Sequence, residues 1–188
     1  MELRTSRLLL REFNIDDAEE LFGIHSDPIN RRYESAPLTR AESDQKLSQI
    51  LADQKADPRT HYHLAITLPP ATKAQGWTAL TLTRAEAREY EIGWTVSTPL
   101  WGNGIAFVSA RAMLAHAFNV LNAHRIIAFC HADNQRSMRV MEKLGMQPEA
   151  WLRASNQLNG AWCDERIYAI LDHEFLALSS PRSNPLQV

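Results

Sequence analysis

A mixed α/β domain built on one largely antiparallel sheet is what this sequence predicts, and three observations predict it. Three strand-like runs, residues 61–68, 76–83 and 90–96, follow one another with short connections between them. The last of these leads through a glycine-bearing turn into a long helical pattern at 104–121, and then into a short apolar run at 125–130. Two final strand-like runs, 147–157 and 163–171, flank Asn159-Gly160, a residue pair suited to a tight hairpin turn.

In chain order, residues 3–13 (LRTSRLLLREF) read as one strand, with interspersed Arg among Leu. Asp16 or Asp17 caps a short helix whose Ala18, Leu21, Phe22 and His25 fall at helical spacing. Asp27-Pro28 ends it, because the residue before a proline avoids helical dihedrals, and 28–38 read as a loop. Thr39 with Glu42 forms a capping box for a helix running to about Ala56, closed by Asp57-Pro58. Pro69-Pro70 and the charged stretch 84–88 connect the three middle strands. On the long helix, Ala106, Ala110, Met113, Ala117 and Leu121 share one face. Residues 125–130 (RIIAFC) suit a strand covered on both faces. Asn134 caps a helix of about 135–144, and Gly145 stands where a left-handed stop belongs. Residues 1–178 thus make one domain, and 179–188, with two prolines, are expected to fray.

Composition narrows the function. A chain of 188 residues, 45% hydrophobic and 22% charged, buries enough surface to need neither disulfides nor a metal. Lys plus Arg number 20 against 22 acidic residues, a net charge of −2, so no broad nucleic-acid-binding face is expected. Every apolar run is interrupted well short of a membrane span. Two cysteines, Cys130 and Cys163, and an opening Met1-Glu2-Leu3-Arg4 without an apolar signal core point to a reducing, cytoplasmic setting.

The chemistry concentrates between Tyr90 and Met146. Trp101-Gly102-Asn103-Gly104-Ile105-Ala106 places glycines at a strand-to-helix junction. Uncrowded backbone N–H groups there, at the positive end of a helix dipole, make an anion site suited to a pyrophosphate. No Lys-Ser/Thr follows, which excludes a nucleotide P-loop, and Phe107 occupies the third glycine position of a dinucleotide fingerprint. His61 and His63 lack a third ligand at a recognisable spacing, so no metal is expected. Cys130 and His131 are adjacent and point to opposite faces of a strand, which favours a buried Cys over a nucleophile.

The run His131-Ala132-Asp133-Asn134-Gln135-Arg136-Ser137, continuing to Glu142-Lys143-Leu144-Gly145-Met146, resembles the second signature of the GNAT superfamily of N-acetyltransferases. The 101–106 turn resembles that superfamily's pyrophosphate loop. The strand Glu91-Ile92-Gly93-Trp94, the Trp-Gly at 101–102 and the Asn…Ser…Glu-Lys-Leu-Gly run are similar to the Rim-type branch, which includes enzymes acetylating ribosomal-protein N-termini. The resemblance implies a mostly antiparallel sheet of six to seven strands, splayed in a V between 90–96 and 125–130, with about four helices. It implies acetyl-CoA in the split, its pantetheine amides paired near Trp94, Thr95 and Val96. Trp101, Gly102, Asn103, Gly104, Ile105 and Ala106 would hold the pyrophosphate and Asn134 the pantetheine arm.

Many superfamily members place a proton-donating Tyr on the last of these helices; here Met141 stands at that position, and Ser137 matches the Ser that replaces it in the Rim-type branch. Amine attack on a thioester needs a neutral amine, which at pH 7 costs about 1.4 kcal/mol for an α-amine and about 4.6 for Lys. Glu91, on one strand face with Gly93 and Thr95, is the candidate base or amine-binding group, with Glu12 second. Arg31-Arg32-Tyr33 would border the acceptor. The expected function is direct acetyl transfer from acetyl-CoA to a primary amine in a ternary complex. A protein N-terminus or a small amine are the candidate acceptors, and a non-catalytic acyl-CoA sensor is the reading from another class.

Overall fold

The computed structural model describes residues 1–179; of the tail expected to fray, 180–188 lie outside the described residues. Among the described residues the chain forms one eight-stranded sheet, one strand more than the expected maximum, in the order β1-β2-β3-β4-β5-β6-β8-β7. The extra strand arises at the start, where β1 (Glu2–Arg4) and β2 (Leu9–Glu12) pair antiparallel in place of a single strand. The turn between them carries neither Gly nor Pro. It is made by the Thr5 hydroxyl, which accepts from the N–H of Leu8 at 2.8 Å.

Strands β3 (His61–Thr67), β4 (Gly76–Arg84) and β5 (Glu89–Val96) form the expected antiparallel run, and β7 (Gln147–Leu158) and β8 (Ala161–Leu171) the expected hairpin. Asn159 and Gly160 both take positive φ, 51° and 81°, as that turn demands. Among the described residues the single parallel contact joins β5 to β6 (Arg125–His131), across α4 (Ile105–Asn119), since parallel neighbours need a crossover.

Among the described residues six α-helices replace the expected four. Asp17 stands at the N-cap position of helix α1 (Ala18–His25) but makes no side-chain bond to it; a 3-10 turn capped by Asn14 precedes the helix, and the Asp17 carboxylate accepts from the Asn14 N–H at 2.9 Å and from Arg11 at 2.7 Å. Asp27-Pro28 does end α1, but Asp27 also accepts from the N–H of Ile29 and Pro28 opens α2 (Pro28–Arg31), where a loop was expected. Helix α3 (Arg40–Asp53) carries the Thr39/Glu42 capping box. Asn134 caps α5 (Gln135–Lys143), and Gly145 stops it at φ 85°. Helix α6 (Asp172–Ser179) went unread; Phe175 stacks on Phe118 of α4 at 5.0 Å and ties it down.

Alternation along β5 sorts the two faces. Tyr90, Ile92 and Val96 belong to the larger core with Ala110, Met113 and Leu114 of α4. Glu91, Gly93 and Thr95 face the other way, where α1 and α3 pack Leu21, Leu47 and Ile50 on Ala65 and Trp77. The β5–β6 ladder holds only Glu89↔Arg125, Tyr90↔Ile126 and Glu91↔Ile127. Beyond it the strands run on without pairing each other, the expected V. At the closed end the buried Glu89 carboxylate accepts from Arg84 at 2.6 Å and Arg125 at 2.9 Å, and these partners hold its pKa down at about 2.

Candidate active site

The open half of the V leads into a cleft of about 350 Å³. Of the residues expected at the cofactor, Trp94, Thr95, Val96, Trp101, Gly102, Gly104, Ile105, Ala106, Asn134 and Ser137 all line it. Asn103 does not. Its side-chain amide donates to the Leu100 carbonyl at 3.1 Å and braces the turn from outside. Glu91 does not line it either: it shares the Thr95 face of β5 but lies four residues earlier, where the strand is still paired with β6 opposite Ile127. There it is half-buried, and burial together with the charge of Glu165 pushes its carboxyl up. Glu12 is engaged elsewhere, with Arg59 at 2.6 Å and the N-terminal ammonium at 3.0 Å.

The turn into α4 is shaped for an anion. Gly102 and Gly104 have φ of 82° and 75°, a region that disfavours side chains. Gly104 is the residue that caps α4, and no side chain accepts from the first-turn amides. Gly104, Ile105, Ala106 and Phe107, at the positive end of this long helix, all line the cleft. Trp101 fixes the turn to β5, its indole N–H donating to the Val96 carbonyl at 2.7 Å; Asn30 of α2 donates to the same oxygen at 3.2 Å.

Cations gather around this turn. Arg136, Arg139 and Lys143 occupy one side of α5 and line the cleft, as does Arg32 from beyond α2. The Arg136 guanidinium lies 4.2 Å from the Trp101 ring centre and that of Arg32 5.8 Å. Sequence reasoning passed over the α5 cations, although their i, i+3, i+7 spacing places them together. Of the Arg31-Arg32-Tyr33 run, Arg32 and Tyr33 reach the cleft, while Arg31 turns back to Glu34 at 2.8 Å. Tyr33 packs against His131 with the ring centres 5.1 Å apart and the planes tilted, joining the segment after α2 to the end of β6.

Asn134 uses its side-chain oxygen to cap α5, accepting from the Ser137 N–H at 3.2 Å, which leaves its NH2 for another partner. Met141 is only 1% exposed and packed in the core, so that position offers nothing to the cleft. Cys130 is buried, its thiol pushed up to about 11. His63 packs between Phe13, met edge-on at 5.6 Å, and Trp77, tilted at 4.7 Å, and burial takes it down to about 3. No group of three or more His, Cys, Asp or Glu is placed to hold a metal among the described residues, and no helix there is long and apolar enough to cross a membrane.

Residues 7–147 match the model of the acetyltransferase (GNAT) domain. This chain belongs to the GNAT acetyltransferase family. The uncharacterized N-acetyltransferase YnaD of Bacillus subtilis is 31% identical over 175 residues, 93% of this chain and 99% of YnaD. A GNAT-family acetyltransferase structure from Bacillus anthracis superposes with a TM-score of 0.82 at 28% identity, covering 92% of this chain and 99% of that one. A spermidine N(1)-acetyltransferase of Escherichia coli is 26% identical over 90 residues, 48% of each chain. The protein is an acetyl-CoA-dependent N-acetyltransferase that moves an acetyl group to an amine. Its cleft fits that donor: uncapped amides and cations for phosphates, and unpaired strand edges for an amide-bearing arm.

Proposed function

We propose that this N-acetyltransferase, read as a single domain over residues 1–178, acetylates the α-amino group of a protein N-terminus, as in the Rim-type branch. The observation that carries the reading is the meeting, at one cleft, of the uncapped α4 terminus, the parted strands and the cations of α5. The pyrophosphate rests on the main chain of Gly102, Asn103, Gly104, Ile105 and Ala106, beside Trp101. The pantetheine arm lies along Trp94, Thr95 and Val96, with the Asn134 NH2 donating to it. Ser137, in the first turn of α5, donates to the departing thiolate, the part Met141 is too buried to play. A carboxylate receives the amine's proton, and Glu91, on the Thr95 face of β5, is the one the sequence put forward. A carboxylate suffices for an α-amine, whose deprotonation is cheap at pH 7, and serves a Lys side chain poorly.

The test is release of free thiol from acetyl-CoA with three acceptors: an alanine-initiated peptide, an Nα-blocked lysine peptide and spermidine. The peptide with a free α-amine is expected to be used at least tenfold faster than the others. Preference for spermidine would replace the protein acceptor with a small polyamine, as the Escherichia coli relative's name suggests. CoA binding without thiol release on any of them would leave the sensor reading.

A further inference from the structure

We propose that Glu34, in the segment after α2, is the carboxylate that meets the acceptor's amino group and takes its proton, a catalytic residue for which sequence reasoning had no signal. The inference rests on acetyl-CoA lying in the cleft as described above. It starts from how charge is divided there. The cations Arg32, Arg136, Arg139 and Lys143 surround the phosphate-binding turn, and Glu34 is the one carboxylate among the described residues that line the cleft. An amine that reaches the thioester as an ammonium must find a negative group near the carbonyl carbon, and Glu91, set back where β5 and β6 are still paired, does not line that space.

Its position suits the task. One carboxylate oxygen accepts from Arg31 at 2.8 Å, which holds the side chain in place. Thr95, on the strand edge assigned to the pantetheine arm, lies against it from β5. The charged and titratable groups facing it are Arg31 on its own segment, Lys46 from α3 and His25 from α1; His131 stands beyond Tyr33 at the end of β6. Burial nonetheless outweighs the two cations, and the carboxyl sits above its ordinary value. The side chain remains 44% exposed, and since it lines the cleft, donor and acceptor entering there would deepen its desolvation. A carboxylate tuned upward is a better base for an ammonium.

The step balances without any further reactant. One proton of the ammonium passes to the Glu34 carboxylate, the freed nitrogen lone pair forms the C–N bond and the C–S bond breaks; the second proton lost from nitrogen replaces the one the Ser137 hydroxyl gives to the departing thiolate, and Glu34 returns its proton to solvent.

The experiment compares wild type, Glu34→Gln, Glu34→Asp and Glu91→Gln, using the alanine-initiated peptide and spermidine as acceptors. Wild-type kcat/KM should rise with pH along a carboxylate limb well below the amine's own pKa. In Glu34→Gln that limb should move to the amine's pKa, giving a loss of at least about 100-fold at pH 7 that shrinks to under tenfold at pH 9.5. Calorimetry on the CoA-loaded protein at pH 7 gives a readout free of turnover. Amine binding should weaken at least tenfold in Glu34→Gln and less in Glu34→Asp, with CoA affinity and melting temperature unchanged. A wild-type limb retained in Glu34→Gln, an equal loss at every pH, or a parallel loss of CoA binding would each overturn the proposal. So would transfer of the whole effect to Glu91→Gln. Wild type that fails to bind CoA would instead sink the underlying reading of the cleft.

Discussion

The two ends of the β5–β6 pair invert each other's chemistry. At the closed end three ladder pairs saturate the backbone, and a buried carboxylate, Glu89, is saturated by Arg84 and Arg125. At the open end the same two strands stop pairing, cations crowd a helix terminus that no side chain caps, and the nearest carboxylate has its pKa raised. One carboxyl is driven down by its partners and the other up by its surroundings. Satisfied groups hold the fold, and unsatisfied ones are left for ligands.

The contrast can be broken from either side. Glu89→Gln removes one partner of a buried network and should destabilise the protein by about 3 kcal/mol, with CoA affinity little changed. Thermal or urea unfolding read beside CoA titration checks this. The pH dependence has a definite sign. Because the folded-state pKa of Glu89, about 2, lies below its ordinary value, its contribution is present above pH 4.5 and lost as pH falls towards 2. The wild type should therefore lose stability in that window more steeply than Glu89→Gln.

Gly104→Val acts at the other end. Space is not the obstacle, since an added Cβ would meet nothing closer than the Arg7 guanidinium at 3.9 Å. The φ of 75° is, and a β-branched residue there would pull the turn out of shape. CoA affinity should fall more than tenfold while the melting temperature drops only a few degrees; unchanged affinity would contradict the placement of the pyrophosphate. Ser137→Ala should lower kcat about tenfold and leave CoA binding intact, read by thiol release against calorimetry. Arg136→Ala should have the smallest effect, a loss in CoA affinity of about threefold that vanishes at high salt, because the guanidinium is exposed.

Local punctuation carried most of the fold into view. The Thr39/Glu42 box, the Gly145 stop, the Asn159-Gly160 turn and the glycines before α4 are each recognised within a few residues, because the hydrogen bonds or dihedrals they satisfy are themselves local. The misreadings came where the same kind of signal was weaker or did two things at once. A Thr hydroxyl made the β1–β2 turn without Gly or Pro, and Asp27-Pro28 ended one helix while starting the next.

Period-two alternation placed Glu91 correctly on the face of Thr95, yet it could not say that β5 and β6 are still paired at Glu91 and part only beyond it. Glu34 carried no motif at all.

By itself, then, the order of residues determined the strands and their main turns, the glycine-rich anion site and the membership of the chain among the acetyltransferases. Each of these is written in short-range geometry. Only the tertiary structure decided which carboxylate shares the cleft with the donor. Glu34 and Thr95 are distant along the chain and meet because α2 folds back over the open strand edge, where Asn30 grips the Val96 carbonyl. Such a meeting depends on packing between elements, and no single stretch of the chain encodes it.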